Sequence, residues 1–199
     1  MKPILTTLAF ILIAFSGFSQ DNKSVAQPTE NKSVQKEKDF EPEFKYGVRG
    51  GFNISNLDFT PDANFENKHR NNMVFGGFVE YFTSEYFSIS AELQYSAEGG
   101  GKDESLRVTY IQLPILFKYH LSTNFAIGVG PQVGQKTWSH EDGFKNIAFS
   151  GVAGIEYMLS DTMFLDARYI YGLTNILDNS SSFEARNTNI QFGIGIKLK

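Results

Sequence analysis

Cysteine is absent from this 199-residue chain. Its absence excludes disulfides, thiolate metal sites, thiol nucleophiles and the lipidated cysteine of a bacterial lipoprotein. An excess of basic residues is also missing, because the formal net charge is −4 and the pI is about 5.4. Nucleic acid is therefore not an expected partner. No stretch approaches the ~20 apolar residues that a spanning helix needs, so a mature chain that crosses a membrane does so with strands.

The most concentrated apolar run lies near the N terminus. Lys2 precedes the run 4–15, and the small residues Gly17 and Ser19 occupy positions −3 and −1 of a cut before Gln20. This is the pattern of a cleaved secretory signal, and about a dozen apolar residues are too few to cross a bilayer of about 30 Å. We predict a signal peptide over residues 1–19.

Residues 20–43 are rich in Lys, Glu, Gln, Asn and Ser, with Phe40 the first aromatic side chain among them. Such a segment buries too little apolar surface to offset the entropy of ordering it. We predict a disordered periplasmic linker over 20–43. The length of the chain favours a single folded domain, which we place at residues 44–199.

From Phe44 onward apolar and polar residues alternate with a period of two, most clearly where Phe192, Ile194 and Ile196 are separated by glycines. Alternation over about ten residues indicates a strand with one apolar and one polar face. Strands of about 9–11 residues are long for soluble sheets and match those that cross a bilayer. The predicted strands lie near 44–56, 73–83, 86–97, 106–120, 124–137, 145–158, 163–173 and 188–199.

The connections between these strands alternate between tight turns and longer polar loops. The tight turns are 83–85, 121–123 and 159–162, and the longer loops are 57–72, 98–105, 138–144 and 174–187. Short turns on one side and long loops on the other are typical of the periplasmic and extracellular ends of an outer-membrane barrel. The predicted fold class is all-β, an eight-stranded antiparallel up-and-down transmembrane β-barrel that follows an N-terminal signal peptide.

A soluble, exported ligand-binding barrel shows the same alternation with its apolar face turned inward, so the period alone leaves both forms open. Aromatic residues on the apolar face cluster beside the tight turns, where a membrane-interface girdle belongs. The predicted girdle consists of Tyr46, Tyr81, Phe87, Tyr119, Phe125 and Tyr157. Together with a polar face that carries Gly, Ser, Gln and charges of both signs, this favours an apolar face in contact with lipid.

A barrel of eight strands is only wide enough for its own side chains. Buried charges in such a lumen must be paired and hydrogen-bonded. We therefore predict a packed polar lumen without a large pore, and a charge network of Lys45, Arg49, Glu80, Glu92, Lys118, Glu156, Asp166 and Arg168. The same face carries Lys136, Lys197 and His120.

No catalytic residue, metal or cofactor is predicted. The run 139–142 (Ser-His-Glu-Asp) contains the residue types of a hydrolase triad, but a triad is defined by geometry and sequence neighbours seldom provide it. A lipid-modifying hydrolase of the outer membrane stays open as an alternative. His69 with Asp58, Asp62 and Glu66 fits no calcium-loop spacing, so we interpret this loop as solvated.

Six segments carry a family resemblance: Gly47–Asn53, Phe82–Ser88, Ala91–Ser96, Ile111–Tyr119, Gly128–Gly134 and Asp166–Tyr169. In this order they resemble the small outer-membrane β-barrel family common in Bacteroidetes, of the porin-family or PorT type. The resemblance implies an outer-membrane barrel of a Gram-negative bacterium, and most members of that family have no assigned activity. We predict that the protein is not an enzyme. It implies the lipid bilayer and, during insertion, the barrel-assembly machinery as partners. The chain departs from the usual terminal aromatic residue by ending in Leu198-Lys199.

Overall fold

The computed structural model describes residues 40–61, 68–100, 106–140, 143–178 and 184–199. They form eight strands: β1 (Glu43–Thr60), β2 (Arg70–Phe82), β3 (Phe87–Gly99), β4 (Arg107–His120), β5 (Phe125–Ser139), β6 (Ile147–Met158), β7 (Met163–Gly172) and β8 (Glu184–Leu198). Each strand pairs antiparallel with the next, and β8 pairs with β1 to close the barrel. Closure leaves none of these eight strands with an unpaired edge. The predicted eight-stranded antiparallel β-barrel is confirmed.

The predicted signal peptide, and all of the predicted linker before Phe40, lie outside the described residues. No helix within the described ranges is long and apolar enough to span a membrane.

The strands at the long-loop end are longer than predicted. β1 and β8 stay paired as far as Thr60 and Glu184, although 57–72 and 174–187 are predicted as loops. Main-chain pairing needs no apolar stripe, and above the level of the lipid both faces of a strand can be polar. The alternation that predicts the strands therefore fades before the strands end.

The apolar stripes point away from the barrel axis. On β8, the side chain of Phe192 is 52% exposed while that of Gln191 is 0% exposed. The same parity exposes Val48 and Phe52 on β1 and buries Arg49 between them. This orientation is the reverse of that in a soluble ligand-binding barrel, whose apolar side chains line the interior.

The three tight turns share one hydrogen-bonding arrangement. In each, a serine hydroxyl (Ser84, Ser122 or Ser160) accepts the N–H of the residue that begins the next strand, at 3.1 Å in all three turns. Each of these serines also donates its own N–H to the carbonyl of that same residue, at 3.2 Å in every case. The serine side chains thus satisfy donors that a sharp reversal leaves without strand partners.

At the opposite end, two loop segments pack over the lumen. Phe144 and Ile176 are buried against Leu57, Val108, Tyr110 and Ala185 from the strands. The N–H of Lys145 donates to the carbonyl of Ile176 at 2.7 Å, and the N–H of Asp178 donates to Gly143 at 2.8 Å. We call residues 143–146 and 174–178 the loop cap. Gly143 has a φ of 119°, a conformation that favours glycine.

The lumen is not polar throughout, contrary to the prediction. Leu116, Val152 and Ile170 form an apolar cluster on inward positions of β4, β6 and β7. Phe78 and Phe164 also face inward, with ring centroids 5.7 Å apart. Apolar side chains that fill a narrow interior strengthen neighbouring polar contacts because they exclude water.

Candidate functional site in the barrel lumen

The charged lumen residues lie on many strands and meet in two clusters. Because side chains alternate along a strand, each charged residue sits at an inward position of its strand. We define the lysine cluster as Glu80, Lys118, Glu156 and Lys197, and the arginine cluster as Arg49, Glu92, Asp166 and Arg168. All eight side chains are buried.

The lysine cluster takes one residue from each even-numbered strand. Lys118 Nζ lies 3.2 Å from Glu80 Oε2 and 2.8 Å from Glu156 Oε2. Lys197 Nζ lies 2.7 Å from Glu80 Oε2 and 2.6 Å from Glu156 Oε1. Each ammonium therefore contacts both carboxylates, and the cluster joins β2, β4, β6 and β8 across the lumen.

Polar neighbours complete the lysine cluster on the side of the tight turns. The Ser88 hydroxyl donates to Glu80 Oε1 at 2.6 Å and lies 2.8 Å from His120 Nε2. The His120 ring also lies 5.0 Å from the Phe82 ring. His120 therefore borders the lysine cluster at the tight-turn end of the lumen.

The arginine cluster is built around a bidentate ion pair. Arg49 Nε and Nη2 donate to the two carboxylate oxygens of Asp166 at 2.5 and 2.6 Å. Arg168 Nη1 donates to Glu92 Oε2 at 2.6 Å and its Nη2 lies 3.6 Å from Asp166. Arg49 Nη1 reaches Gln191 Oε1 at 3.2 Å. Bidentate pairing of this kind is the strongest charge-assisted arrangement available to arginine.

Each cluster contains two cations and two carboxylates, so each is formally neutral. Burying an isolated charge costs many kcal/mol, and only close pairing with hydrogen bonds offsets that cost. The arrangement can hold the strands together across the lumen. It leaves little room between the clusters, where the cavity beside Leu116, Gly128 and Gly154 has a volume of about 10 Å³.

Lys45 is predicted to join the lumen network, but the structure places it elsewhere. Its ammonium lies 3.1 Å from Glu43, with a quarter of the Lys45 side chain exposed, and 4.5 Å above the Phe82 ring. Lys45 is only two residues after the start of β1, so it lines a wide vestibule of about 550 Å³ at the tight-turn end. The alternation along β1 predicts correctly that Lys45 lies on the inner face, but it does not predict how far along the barrel axis Lys45 lies. Lys136 lies at the other end, where Nζ donates to the Phe144 carbonyl at 2.6 Å.

A third polar group, centred on Glu98, is absent from the predicted network. The sequence predicts that Glu98 lies in the loop 98–105, whereas β3 continues to Gly99 and turns Glu98 inward. Its carboxylate accepts hydrogen bonds from Ser96 Oγ at 2.8 Å, from Gln112 Nε2 at 2.7 Å and from Asn187 Nδ2. The alternation of polar residues along β3 continues through Glu98 and could have revealed it. The glycines that follow Glu98 obscured that signal.

The predicted girdle residues all lie on outward positions beside the tight turns. Tyr46, Phe87, Tyr119 and Tyr157 are exposed, and Tyr81 and Phe125 are half-buried. The rings of Phe87 and Tyr119 lie 4.9 Å apart on adjacent strands. The structure therefore brings the aromatic residues to one level of the outer surface.

The residues considered for catalysis or metal binding form no such site within the described chain. The His140 ring lies 6.2 Å from the Trp138 ring, and Glu141 and Asp142 lie outside the described residues. Asp62 and Glu66 also lie outside them. Among the residues that are described, no group of three His, Cys, Asp or Glu side chains is placed to hold a metal ion.

Solved structures of outer-membrane proteins align with this chain at low sequence identity. The Neisserial surface protein A aligns with a TM-score of 0.53 and 11% identity over 76% of this chain and 96% of that one. Ail of Yersinia pestis aligns with a TM-score of 0.49 and 13% identity, covering 78% of this chain and 99% of Ail. OprG of Pseudomonas aeruginosa aligns with a TM-score of 0.42 and 13% identity, covering 77% and 95%.

No curated protein matches the sequence. Residues 18–178 match the family described as the outer membrane protein beta-barrel domain. The match covers most of the chain, and the closed barrel with its apolar exterior agrees with it. The protein therefore lies in the outer membrane with its apolar face in the lipid bilayer. The chain belongs to the outer membrane protein beta-barrel domain family.

Proposed function

We propose that this protein is a closed, non-catalytic barrel with a structural or interaction role in the outer membrane, and that it forms no large pore. The observation that carries this proposal is the pairing of buried charges across the lumen in the lysine and arginine clusters. A solute moving along the axis would have to separate ion pairs that lie 2.5 to 3.2 Å apart. Breaking a buried ion pair costs about 3–5 kcal/mol.

The loop cap supports the same proposal at the other end of the lumen. Phe144 and Ile176 pack against inward residues of β1, β4 and β8. The Ala185 carbonyl accepts the Ile176 N–H at 2.9 Å, and Asn175 Oδ1 accepts the N–H groups of Leu177 and Ala185 at 3.0 and 2.9 Å. These bonds tie the cap to β8, which supports a lumen covered at the long-loop end.

Conductance measurements test the absence of a pore. We expect purified, heat-modifiable protein to give no discrete conductance steps in planar bilayers. A variant with Lys118, Lys197, Glu80 and Glu156 all replaced by alanine, and with heat-modifiable migration retained, serves as the control for a lumen emptied of the lysine cluster. Discrete steps from the unmodified protein would refute the closed lumen.

The non-catalytic part of the proposal is tested at His140, whose ring lies 6.2 Å from the Trp138 ring. We expect no release of fatty acid from outer-membrane lipids by the purified protein. Activity that disappears in a His140→Ala variant, with folding intact, would instead support the hydrolase.

We extend the proposal to export and assembly. The apolar run 4–15 and the small residues before Gln20 support a signal peptide over 1–19, followed by the linker 20–43. The segments that resemble the PorT-type barrels of Bacteroidetes support membership of that branch and insertion by the barrel-assembly machinery. N-terminal sequencing of protein from the outer-membrane fraction is expected to begin at Gln20. A mature chain that retains Met1 would contradict the cleavage.

The outward aromatics beside the tight turns support a girdle at the periplasmic interface, since Tyr and other aromatic rings concentrate at that level of barrels. We expect lipids with a quencher in the headgroup region to shield these rings more than lipids with a quencher at the bilayer centre. Preferential quenching from the centre would contradict the girdle.

A further inference from the structure

An apolar groove of about 660 Å³ lies on the outer face of the barrel, where it crosses β1, β2 and β3. We call it the outer groove. Gly77 and Ala91, two small residues at outward positions, form its floor. Gly77 pairs with Val48 on one side and with Leu93 on the other, and these two side chains are 61% and 60% exposed. The glycine therefore leaves a gap between two projecting apolar side chains.

The outer groove runs from the level of the aromatic girdle toward the middle of the strands. Tyr46 and Leu198, which pair with each other near the tight-turn end, line one end of it. Leu93 and Leu113 line the other end, and Leu93 lies six residues after Phe87, the girdle residue that begins β3. Six residues of a tilted strand rise about 15 Å along the membrane normal, which is half of a hydrocarbon core of about 30 Å. The outer groove therefore spans one leaflet.

The outward residues that line the outer groove between its two ends are apolar, among them Val79 and Ile196. Glu92 also borders it, but the Glu92 carboxylate binds Arg168 inside the lumen at 2.6 Å. This face of the protein lies in the lipid bilayer. Within lipid, association depends on close van der Waals packing, and small residues favour it because they let a neighbour approach the backbone.

A cation lies at the end of the outer groove where a lipid carries its headgroup. Lys199 follows Leu198, and 77% of its side chain is exposed. Its ammonium lies 2.9 Å from a carboxylate oxygen of Glu43, and an exposed pair of this kind holds its partners only weakly. Lys199 can therefore turn toward a phosphate at the membrane interface. Tyr46 lies at the same end, and amphipathic rings of this type occupy the headgroup level.

We propose that the outer groove binds one acyl chain of a phospholipid from the leaflet on the tight-turn side, with the lipid phosphate at Lys199. The chain lies over Gly77 and Ala91 and between Val48 and Leu93. The groove itself depends only on the membrane placement of the barrel. The level of the phosphate also rests on the girdle proposed above, which the quenching experiment tests separately.

Filling the outer groove tests the site. In Gly77→Leu the added Cβ meets Gly47 O at 3.6 Å, an ordinary contact, so the new side chain occupies the groove without pushing on the barrel. Gly151→Leu is the matched control, because it places the same side chain on the outer face of β6, where an added Cβ meets no atom within 4 Å.

Native mass spectrometry counts the lipids that the folded full chain retains after incubation with phosphatidylglycerol in detergent. We expect the unmodified protein and Gly151→Leu to retain one phospholipid, and Gly77→Leu to retain none above the level of non-specific adducts. Equal retention by Gly77→Leu and the unmodified protein would overturn the proposal.

A diacylglycerol with the same acyl chains lacks the phosphate and tests the role of Lys199. We expect the unmodified protein to retain phosphatidylglycerol in preference to the diacylglycerol, and Lys199→Gln to lose that preference. Equal retention of the two lipids by the unmodified protein would overturn the placement of the phosphate.

Photo-crosslinking of the unmodified protein keeps the proposal testable if Gly77→Leu does not fold. Phosphatidylglycerol with a diazirine in its acyl chain is irradiated with the barrel in lipid vesicles, and the adducts are mapped along the chain. We expect more adducts on the outward residues of β1, β2 and β3 than on those of β6 and β7. An even spread over the strands would overturn the proposal. A dimer that forms without bound phospholipid and is lost in Gly77→Leu would overturn it too, since the groove would then be a contact between two copies.

Discussion

Replacing Asp166 with asparagine removes one negative charge from the arginine cluster and leaves the size of the side chain almost unchanged. Arg49 then loses the carboxylate that accepts from Nε and Nη2 at 2.5 and 2.6 Å. Its next carboxylate is Glu92, 3.9 Å from Nη1, and Glu92 is already bound to Arg168. The variant therefore leaves a buried guanidinium without a close anionic partner.

The size of the effect follows from the burial of both partners. The side chains of Arg49 and Asp166 are 0% and 3% exposed, so solvent cannot replace the lost partner. Removing one member of a buried pair costs about 3–5 kcal/mol. The double variant Arg49→Met with Asp166→Leu removes both charges at once, and such replacements are often neutral. We therefore expect Asp166→Asn to destabilise the barrel by about 3 kcal/mol and the double variant to regain most of that loss.

Urea unfolding in lipid vesicles measures these differences. Trp138 is the single tryptophan of the chain and lies on the outer surface of β5. Its surroundings change when the barrel unfolds, so its fluorescence reports unfolding. Glu43→Gln is the matched control, because the ion pair of Glu43 with Lys45 is partly exposed and such pairs contribute about 0–1 kcal/mol. If Asp166→Asn costs no more than Glu43→Gln, the reasoning about the buried pair is refuted.

Three further tests probe the lumen wall, the lipid face and the loop cap by the same unfolding assay. Gly193→Ala places a methyl group 2.7 Å from the Arg49 guanidinium and is expected to destabilise the barrel by about 1–3 kcal/mol. Gly151→Ala, whose added methyl group meets no atom within 4 Å, is the control and is expected to leave stability unchanged. Equal effects of the two variants would contradict a tightly packed lumen. Ile194→Arg, on the lipid face, is expected to destabilise the barrel by about 2–4 kcal/mol, and Leu198→Arg, near the membrane interface, by about 0–1 kcal/mol. A larger loss for Leu198→Arg than for Ile194→Arg would contradict the placement of Ile194 deeper in the bilayer than Leu198. Phe144→Ala removes a buried ring from the loop cap and is expected to cost about 3 kcal/mol, so an unchanged midpoint would show that the cap is not packed.

The strands and their orientation could be predicted because both depend on a local period. The order Gln191, Phe192, Gly193, Ile194 along β8 predicts which side chains face lipid, because neighbouring residues on a strand point to opposite faces. One buried face also fixes the register, because a slip by one residue would turn every side chain to the wrong side.

The partners across the lumen could not be predicted from that period. Arg49 and Asp166 are 117 residues apart, and their contact depends on the stagger between β1, β8 and β7 rather than on either strand alone. Alternation gives the face of a side chain and leaves its depth undetermined. For this reason the alternation predicts that Lys45 belongs with the deeper charges, although it lies near the mouth of the barrel and pairs with Glu43.

The apolar residues inside the lumen explain why the charges form separate neutral clusters. Leu116, Val152 and Ile170 lie two to four residues closer to the long-loop end than Lys118, Glu156 and Arg168 on the same strands. A layer of such side chains excludes water, so an excess charge on one side of it cannot be screened from the other side. Each polar layer must then be balanced by groups of its own. The lysine and arginine clusters meet this condition with two charges of each sign.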